Sequence, residues 1–308
     1  MRRHPVIFGI FLLFLIGAVF FLFVYGLTSI GGNRHAFTLS DKVGVVTIEG
    51  IIRDSQDVVE ELDEFSNDDR IKAVVLRIDS SGGGVVPSQE IYEAIIDLKK
   101  KKRVVASMGS VAASGGYLIA CAADKIVANP GTITGSISAV AYFANAEELL
   151  KKIGLKFSVI KSGRYKDIGS PVRAMTEDEK ALIQSLVDDI YGQFFEVVMQ
   201  QRRISEEELR RIADGRVFSG RQAQKLGLVD FLGDRGYAIH LAGKIAHIKG
   251  KIDVVYPKRR RVSFWEFILQ KMTSSLLGEY REKETGIYGV NYLYPGWQAL
   301  TKPPSPMS

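Results

Sequence analysis

Between residues 43 and 250 short apolar runs alternate with amphipathic stretches. Val43 to Glu49 alternates and stops at Gly50, which predicts a strand that Ile51 and Ile52 extend. Asp57 to Phe65 places Val58, Leu62 and Phe65 on one helical face. Ala73 to Ile78 is apolar at every position but Arg77, the signature of a parallel strand covered on both faces. A helix over Pro87 to Lys101, a strand over Arg103 to Ala106, an apolar helix from Tyr117 to Ala123 and a strand over Lys125 to Ala128 follow. Ala146 to Ile153 reads as helix and Lys156 to Ile160 as another strand. Strands alternating with helices predict an α/β fold whose parallel sheet has right-handed helical crossovers.

The second half is mostly helical. Thr176 and Glu179 form a capping box at the head of a helix reaching about Arg202, with Leu182, Leu186, Ile190, Phe194 and Val198 in its apolar stripe. Ser205 and Glu208 repeat the box. Short elements follow at Val217 to Gly220, Arg221 to Leu226 and Gly227 to Asp230, and a last helix covers Asp234 to His247.

The N-terminus has a different pattern. Val6 to Leu27 is 22 residues of almost unbroken apolar character, and at 1.5 Å per residue it spans roughly 33 Å, enough for a bilayer core. Arg2 and Arg3 precede it and Arg34 follows, which favours a cytoplasmic N-terminus. The expected organisation is a cytoplasmic stub at 1–5, a transmembrane anchor at 6–27, a linker at 28–41, an extracytoplasmic globular domain at 42–250 and an extension at 251–308. A cleaved signal peptide is the competing reading, but Leu27 to Gly31 is a poor cleavage site. In the extension, Lys258 to Arg261 precede the aromatic stretch Phe264 to Leu269, which suits either an anionic membrane surface or a packing partner.

Composition narrows the chemistry. The net charge of +6 arises partly from the local runs Lys99 to Arg103 and Lys258 to Arg261, so no nucleic-acid face is implied. The single cysteine, Cys121, leaves no disulfide and no thiolate metal site. His240 and His247 lie on one helix about 10.5 Å apart along its axis, too far to chelate one metal. No cofactor or metal is expected.

Two glycine-rich stretches follow strand signals. Asp79 to Gly84 carries three glycines at the carboxyl end of a strand, the place where α/β folds bind ligands. It lacks the Gly-Lys-Ser/Thr ending of a phosphate loop, which leaves an oxyanion hole of backbone N–H groups or a plain tight turn. Gly109 to Gly116 contains Ser114 among small residues, just before the helix at Tyr117. Free N–H groups at a helix start favour developing negative charge, so Ser114 is either a nucleophile or a packing serine at a cap.

A serine nucleophile needs a base. His4 precedes the apolar N-terminal segment and His35 follows it, which leaves a triad possible only through His240 or His247. A lysine serves as base only when neutral, and Lys166, in the loop Lys161 to Pro171, is the candidate.

Taken together, Ser80-Ser81-Gly82-Gly83-Gly84, Ala112-Ala113-Ser114-Gly115-Gly116-Tyr117 and Ser162-Gly163-Arg164-Tyr165-Lys166-Asp167 closely resemble the signal peptide peptidase A family, in its short form, as do Val217 to Gly220 and Gly227 to Asp230. The resemblance runs from about Val43 to Gly250. It implies a Clp protease/crotonase-like fold of repeated β-β-α units and a membrane-bound serine endopeptidase with a Ser-Lys dyad. Carried over by position, Ser114 is the nucleophile, Lys166 the general base, and the N–H groups of Gly83 and Gly115 the oxyanion hole. One departure is Ser81, where the family usually has proline, which leaves Gly82 and Gly83 as alternatives for the first donor. The implied substrates are cleaved signal peptides and misfolded membrane or secreted proteins. The implied assembly is a ring-shaped homo-oligomer in which serine and lysine can come from neighbouring protomers. Two other readings remain: a Clp-class membrane protease acting on a membrane scaffold protein, and a catalytically inactive crotonase-like binding scaffold.

Overall fold

The computed structural model describes residues 12–23 and 41–257, together with the backbone of 290–293. The chain divides into two units, residues 1–40 and 41–308. In the first, residues 12–23 form helix α1, with Leu13, Phe14 and Phe20 to Phe23 exposed. Among the described residues no helix is long and apolar enough to cross a membrane. The rest of the expected 6–27 anchor lies outside the described residues, as does the basic and aromatic stretch 258–269.

The second unit is built on a mostly parallel sheet. β1 (Lys42–Ile52), β2 (Ile71–Gly84), β3 (Arg103–Ala113), β4 (Lys125–Ala128) and β8 (Phe231–Leu232) pair in that order, all parallel, and β9 (Asp253–Val255) adds in parallel to the other side of β1. The sheet therefore takes in residues beyond 250.

Alternate side chains of these strands go to opposite faces, and both faces are apolar. Val43, Val45, Ala73, Val75, Val105 and Val127 pack with Ala238 and Ala242 of α9 (Arg235–Ile245). Val46, Val74, Leu76, Ile78, Val104, Ala106 and Ile126 face the larger core with α2 (Gln56–Asn67), α3 (Val85–Lys99), α4 (Gly115–Cys121) and α6 (Glu177–Arg202). The continuous Ala73 to Ile78 run follows from this double coverage. The capping boxes at Thr176 and Ser205 both form, at the heads of α6 and α7 (Glu206–Arg210).

β2 and β3 run well past the apolar segments that announce them. Their pairing shifts register between Ile78 and Ser80, and beyond that point each strand takes new neighbours. The end of β3 pairs in parallel with β5 (Ile133–Gly135), which pairs antiparallel with β7 (Val217–Ser219). The end of β2, Gly82 to Gly84, runs antiparallel to β10 (Val290–Leu293), which also pairs with β6 (Val140–Ala141). The glycine stretch expected as a loop is thus strand, and α3 starts at Val85, immediately after it.

The strand expected over Lys156 to Ile160 does not form. The segment has no regular structure, and Leu155, Phe157, Val159 and Ile160 are exposed, Ile160 at 98%. Its alternation meets no sheet edge among the described residues, and a strand without a partner leaves its ladder groups unpaired. The Ala146 to Ile153 helix is present as α5 (Glu147–Lys152).

Candidate active site

The site begins where β2 and β3 bend together. The Asp79 carboxylate accepts a hydrogen bond from Val111 N–H at 3.1 Å. A Cβ on Gly109 would lie 2.5 Å from the Asp79 carboxyl carbon, so only glycine admits Asp79 there. The hydroxyls of Thr132 and Thr134 donate to the carbonyls of Gly109 and Ala112 at 2.7 and 2.6 Å, tying the end of β3 to the β5 segment.

Ser114 follows directly, between β3 and α4. Its φ of 55° and ψ of −119° are unusual for a residue with a side chain, and such a conformation costs of order 1–3 kcal/mol. Neighbouring contacts hold it: Ser114 N–H donates to Gly135 carbonyl at 2.8 Å, and its own carbonyl accepts from Leu118 N–H at 2.9 Å. Ser114 is 1% exposed. Gly115 is the first residue of α4, and Gly116 lies against β2, where a Cβ would come 2.9 Å from the Ser80 carbonyl oxygen.

The opposing β2 segment is similarly close-packed. Ser80 Oγ donates to Gly50 carbonyl at 2.5 Å and accepts from Gly82 N–H at 3.1 Å. The Gly82 N–H is therefore engaged within the strand. Gly83 sits against β1, since a Cβ there would lie 2.0 Å from Ile52 carbonyl oxygen. Ser81 is fully buried, and its hydroxyl has no hydrogen-bond partner among the described residues.

The stretches around Ser80 and Ser114 are adjacent, with Ser80 opposite Ala112 in the ladder. The third, around Lys166, is a run of turns between α5 and α6. Lys166 is exposed, and within one chain no hydrogen bond joins its ammonium to Ser114. Next to it, Asp167 accepts from Lys161 Nζ and from Arg173 Nε, the latter at 2.8 Å. Arg173 also grips Glu179 with two bonds, at 2.8 and 2.5 Å. Arg173, then Lys161, hold the Asp167 carboxyl well below the usual carboxylate range. Arg173, helped by Thr176 N–H, lowers Glu179 to about 2.

A triad through His240 or His247 is not built. His240 lies on α9, packed on the sheet face opposite α4, and His247 follows the same helix. A cleft of about 650 Å³ opens between β6 and α6, lined by Val140, Phe143, Ser170, Arg173, Ile183 and Val187 among others, and includes neither Ser114 nor Lys166. The Gly227 to Asp230 element has a packing role. Tyr117 donates to Leu228 carbonyl at 2.9 Å, and Asp230 accepts from Ile126 N–H at 2.7 Å and from Arg202 at 3.0 Å. Asp79 and Arg173 escaped the sequence reading. A carboxylate beside a strand-end glycine run was the available signal for the first, and Arg173 carried none.

The geometry is thus a strained serine at a strand-to-helix turn beside the end of a neighbouring parallel strand, and residues 38–132 match the Clp protease family. Residues 96–249 match peptidase family S49, and the chain belongs to that family of serine peptidases. A Synechocystis relative is 45% identical over 210 residues, 66% of this chain and 76% of its own length. Protease 4 of Haemophilus influenzae is 32% identical over 72% of this chain and 37% of its length. The chloroplastic serine protease SPPA of Arabidopsis thaliana is 32% identical over 80% of this chain and 36% of its length. The chain thus spans little more than a third of those two relatives.

Proposed function

We propose that this chain is a membrane-anchored serine endopeptidase in which Ser114 is the nucleophile, Lys166 the general base, and the N–H groups of Gly83 and Gly115 the oxyanion hole. The observation that carries this reading is the strained Ser114, held just past the tip of β3 where Ala112 pairs with Ser80 of β2. Ser114 Oγ attacks the peptide carbonyl as its proton passes to neutral Lys166. The oxyanion rests on backbone N–H groups as it collapses to an acyl-serine, and the amine leaves with the proton from Lys166. Water, deprotonated by the same lysine, then releases the acid. Gly83 is preferred to Gly82 as donor because the Gly82 N–H already bonds Ser80 Oγ.

The substrates we assign are cleaved signal peptides and misfolded membrane or secreted proteins. The 6–27 segment would anchor the chain, with the protease domain outside the cytoplasm. The exposed Phe157, Val159 and Ile160 in front of the Lys166 loop favour a neighbouring copy as their cover, in a ring-shaped oligomer that brings one protomer's Lys166 to the next protomer's Ser114.

The test uses Ser114→Ala and Lys166→Ala, each assayed on an apolar signal-peptide substrate and then mixed. Each variant alone is expected to lose cleavage while keeping its fold, and the mixture to recover part of it. Full activity in either single variant would sink the dyad, and a dead mixture would place both groups in one chain.

A further inference from the structure

Every carboxylate on or against the Lys166 loop already holds a cation. Asp167 is taken by Lys161 and Arg173, Glu179 of α6 by Arg173, Asp178 of α6 by Arg164, and Glu147 of α5 by Lys151. The Lys166 ammonium has no hydrogen bond or ion pair among the described residues. Asp167 is its sequence neighbour, and its side chain is 11% exposed, fixed by groups on both sides.

This arrangement has a chemical consequence. A carboxylate within reach of an ammonium favours the charged form, typically by one to three pH units at about 4–6 Å. A lysine base works only when neutral, so a free carboxylate beside it opposes the reaction. We propose that Arg173 and Lys161 are positioning residues that hold Asp167 away from Lys166, keeping the lysine unpaired while fixing its loop to the head of α6. The proposal rests on Lys166 being the base.

The fastening follows from local chemistry. Glu179 is the third residue of α6, where its carboxylate accepts Thr176 N–H at 2.9 Å and Thr176 Oγ1 accepts Glu179 N–H. This box sets Glu179 in place before it meets Arg173. The planar guanidinium then bridges two carboxylates, with the forked geometry that lysine lacks. A second tie closes the other side of the loop, since Ala174 N–H donates to Glu147 at 2.9 Å and Ala146 N–H to Pro171 carbonyl at 2.8 Å. Lys161 also donates to Arg164 carbonyl at 2.9 Å, so the turn carrying Lys166 is spanned from within.

The experiment measures kcat/KM for an apolar peptide against pH in the full-length protein, for wild type, Arg173→Gln, Asp167→Asn and the double variant. In Arg173→Gln the Asp167 carboxylate keeps only Lys161, its second oxygen turns toward Lys166, and the acid limb of the profile moves up by about one pH unit, so activity falls about tenfold below the limb and recovers at high pH. In the double variant the limb returns to the wild-type position, even though thermal unfolding shows the loop still loosened. Arg173→Lys keeps one ionic bond and is expected to leave the limb near wild type. A pH-independent loss in Arg173→Gln, or a limb that the second substitution does not restore, overturns the proposal. Lys166→Ala is run alongside; retained activity there removes the lysine base and with it this proposal, an outcome distinct from a flat profile with an inactive Lys166→Ala.

Discussion

The carboxyl carbon of Asp79 lies 2.5 Å from the place a Cβ on Gly109 would occupy. That close approach falls at the register shift between β2 and β3, five residues before Ser114. Gly109→Ala forces the Asp79 side chain to shift and strains its bond to Val111 N–H, and is expected to cost about 1–3 kcal/mol, lowering Tm by about 2–4 °C per kcal/mol in a domain of this size. Peptide cleavage should fall further than stability explains, because Ser114 moves with the strand. Gly131→Ala is the control, since nothing lies within 4 Å of its added methyl. Equal Tm values for the two variants would contradict the close approach.

Ser81 presents the reverse case. Its buried hydroxyl has no partner among the described residues, and an unmade buried hydrogen bond costs about 1–3 kcal/mol. Ser81→Ala should therefore be more stable than wild type by about 1 kcal/mol once the lost packing of the oxygen is counted. Chemical denaturation reads this as a raised midpoint at unchanged slope. Ser88→Ala, which removes a hydroxyl bonded to Gly84 carbonyl at 2.8 Å, should do the opposite.

The ionic cluster around Arg173 imposes a pH dependence whose sign follows from its carboxylates. Glu179 is lowered from 4.5 to about 2, and Asp167 is also held below its ordinary range. Groups depressed by folding contribute stability in full above their unfolded values and lose it as pH falls toward the folded ones. The stability gap between wild type and Arg173→Gln should hold near neutrality and narrow from pH 4.5 down to about 2. Thermal unfolding at pH 6, 4 and 2.5 measures it, and a gap constant with pH would rule the cluster out.

Cys121 offers a probe of the α4 core. It is 1% exposed, and burial pushes its thiol up to about 12. A thiol so placed stays protonated and shielded. Labelling by a thiol reagent at pH 8 should proceed only as fast as the domain opens, rising steeply in denaturant. Rapid labelling of native protein would contradict the burial of α4.

Much of this protein was legible in the pattern of its residues. The apolar run at Ala73 to Ile78 and the alternation at Val43 to Glu49 named the parallel strands, because strands covered on both faces need apolar residues on both. Thr176 and Ser205 marked helix starts because capping is a local bond between residues three apart. Ser114 stood out as a serine among glycines and alanines just before a helix start, where a cap and a nucleophile look alike; its positive φ appeared only in the fold. Other features were decided only when the chain closed on itself. Glycines at 82 to 84 read as a loop by composition, yet β1 and β10 turn them into strand by supplying partners. Lys156 to Ile160 has strand composition and finds no edge to pair with among the described residues. Arg173 gave no sign of its role, since an arginine between two carboxylates six residues away on either side acquires meaning only from the turn that gathers them. Periodicity and capping are local interactions that a sequence carries in its spacing, whereas pairing partners and charge neutralisation depend on distant segments meeting in space.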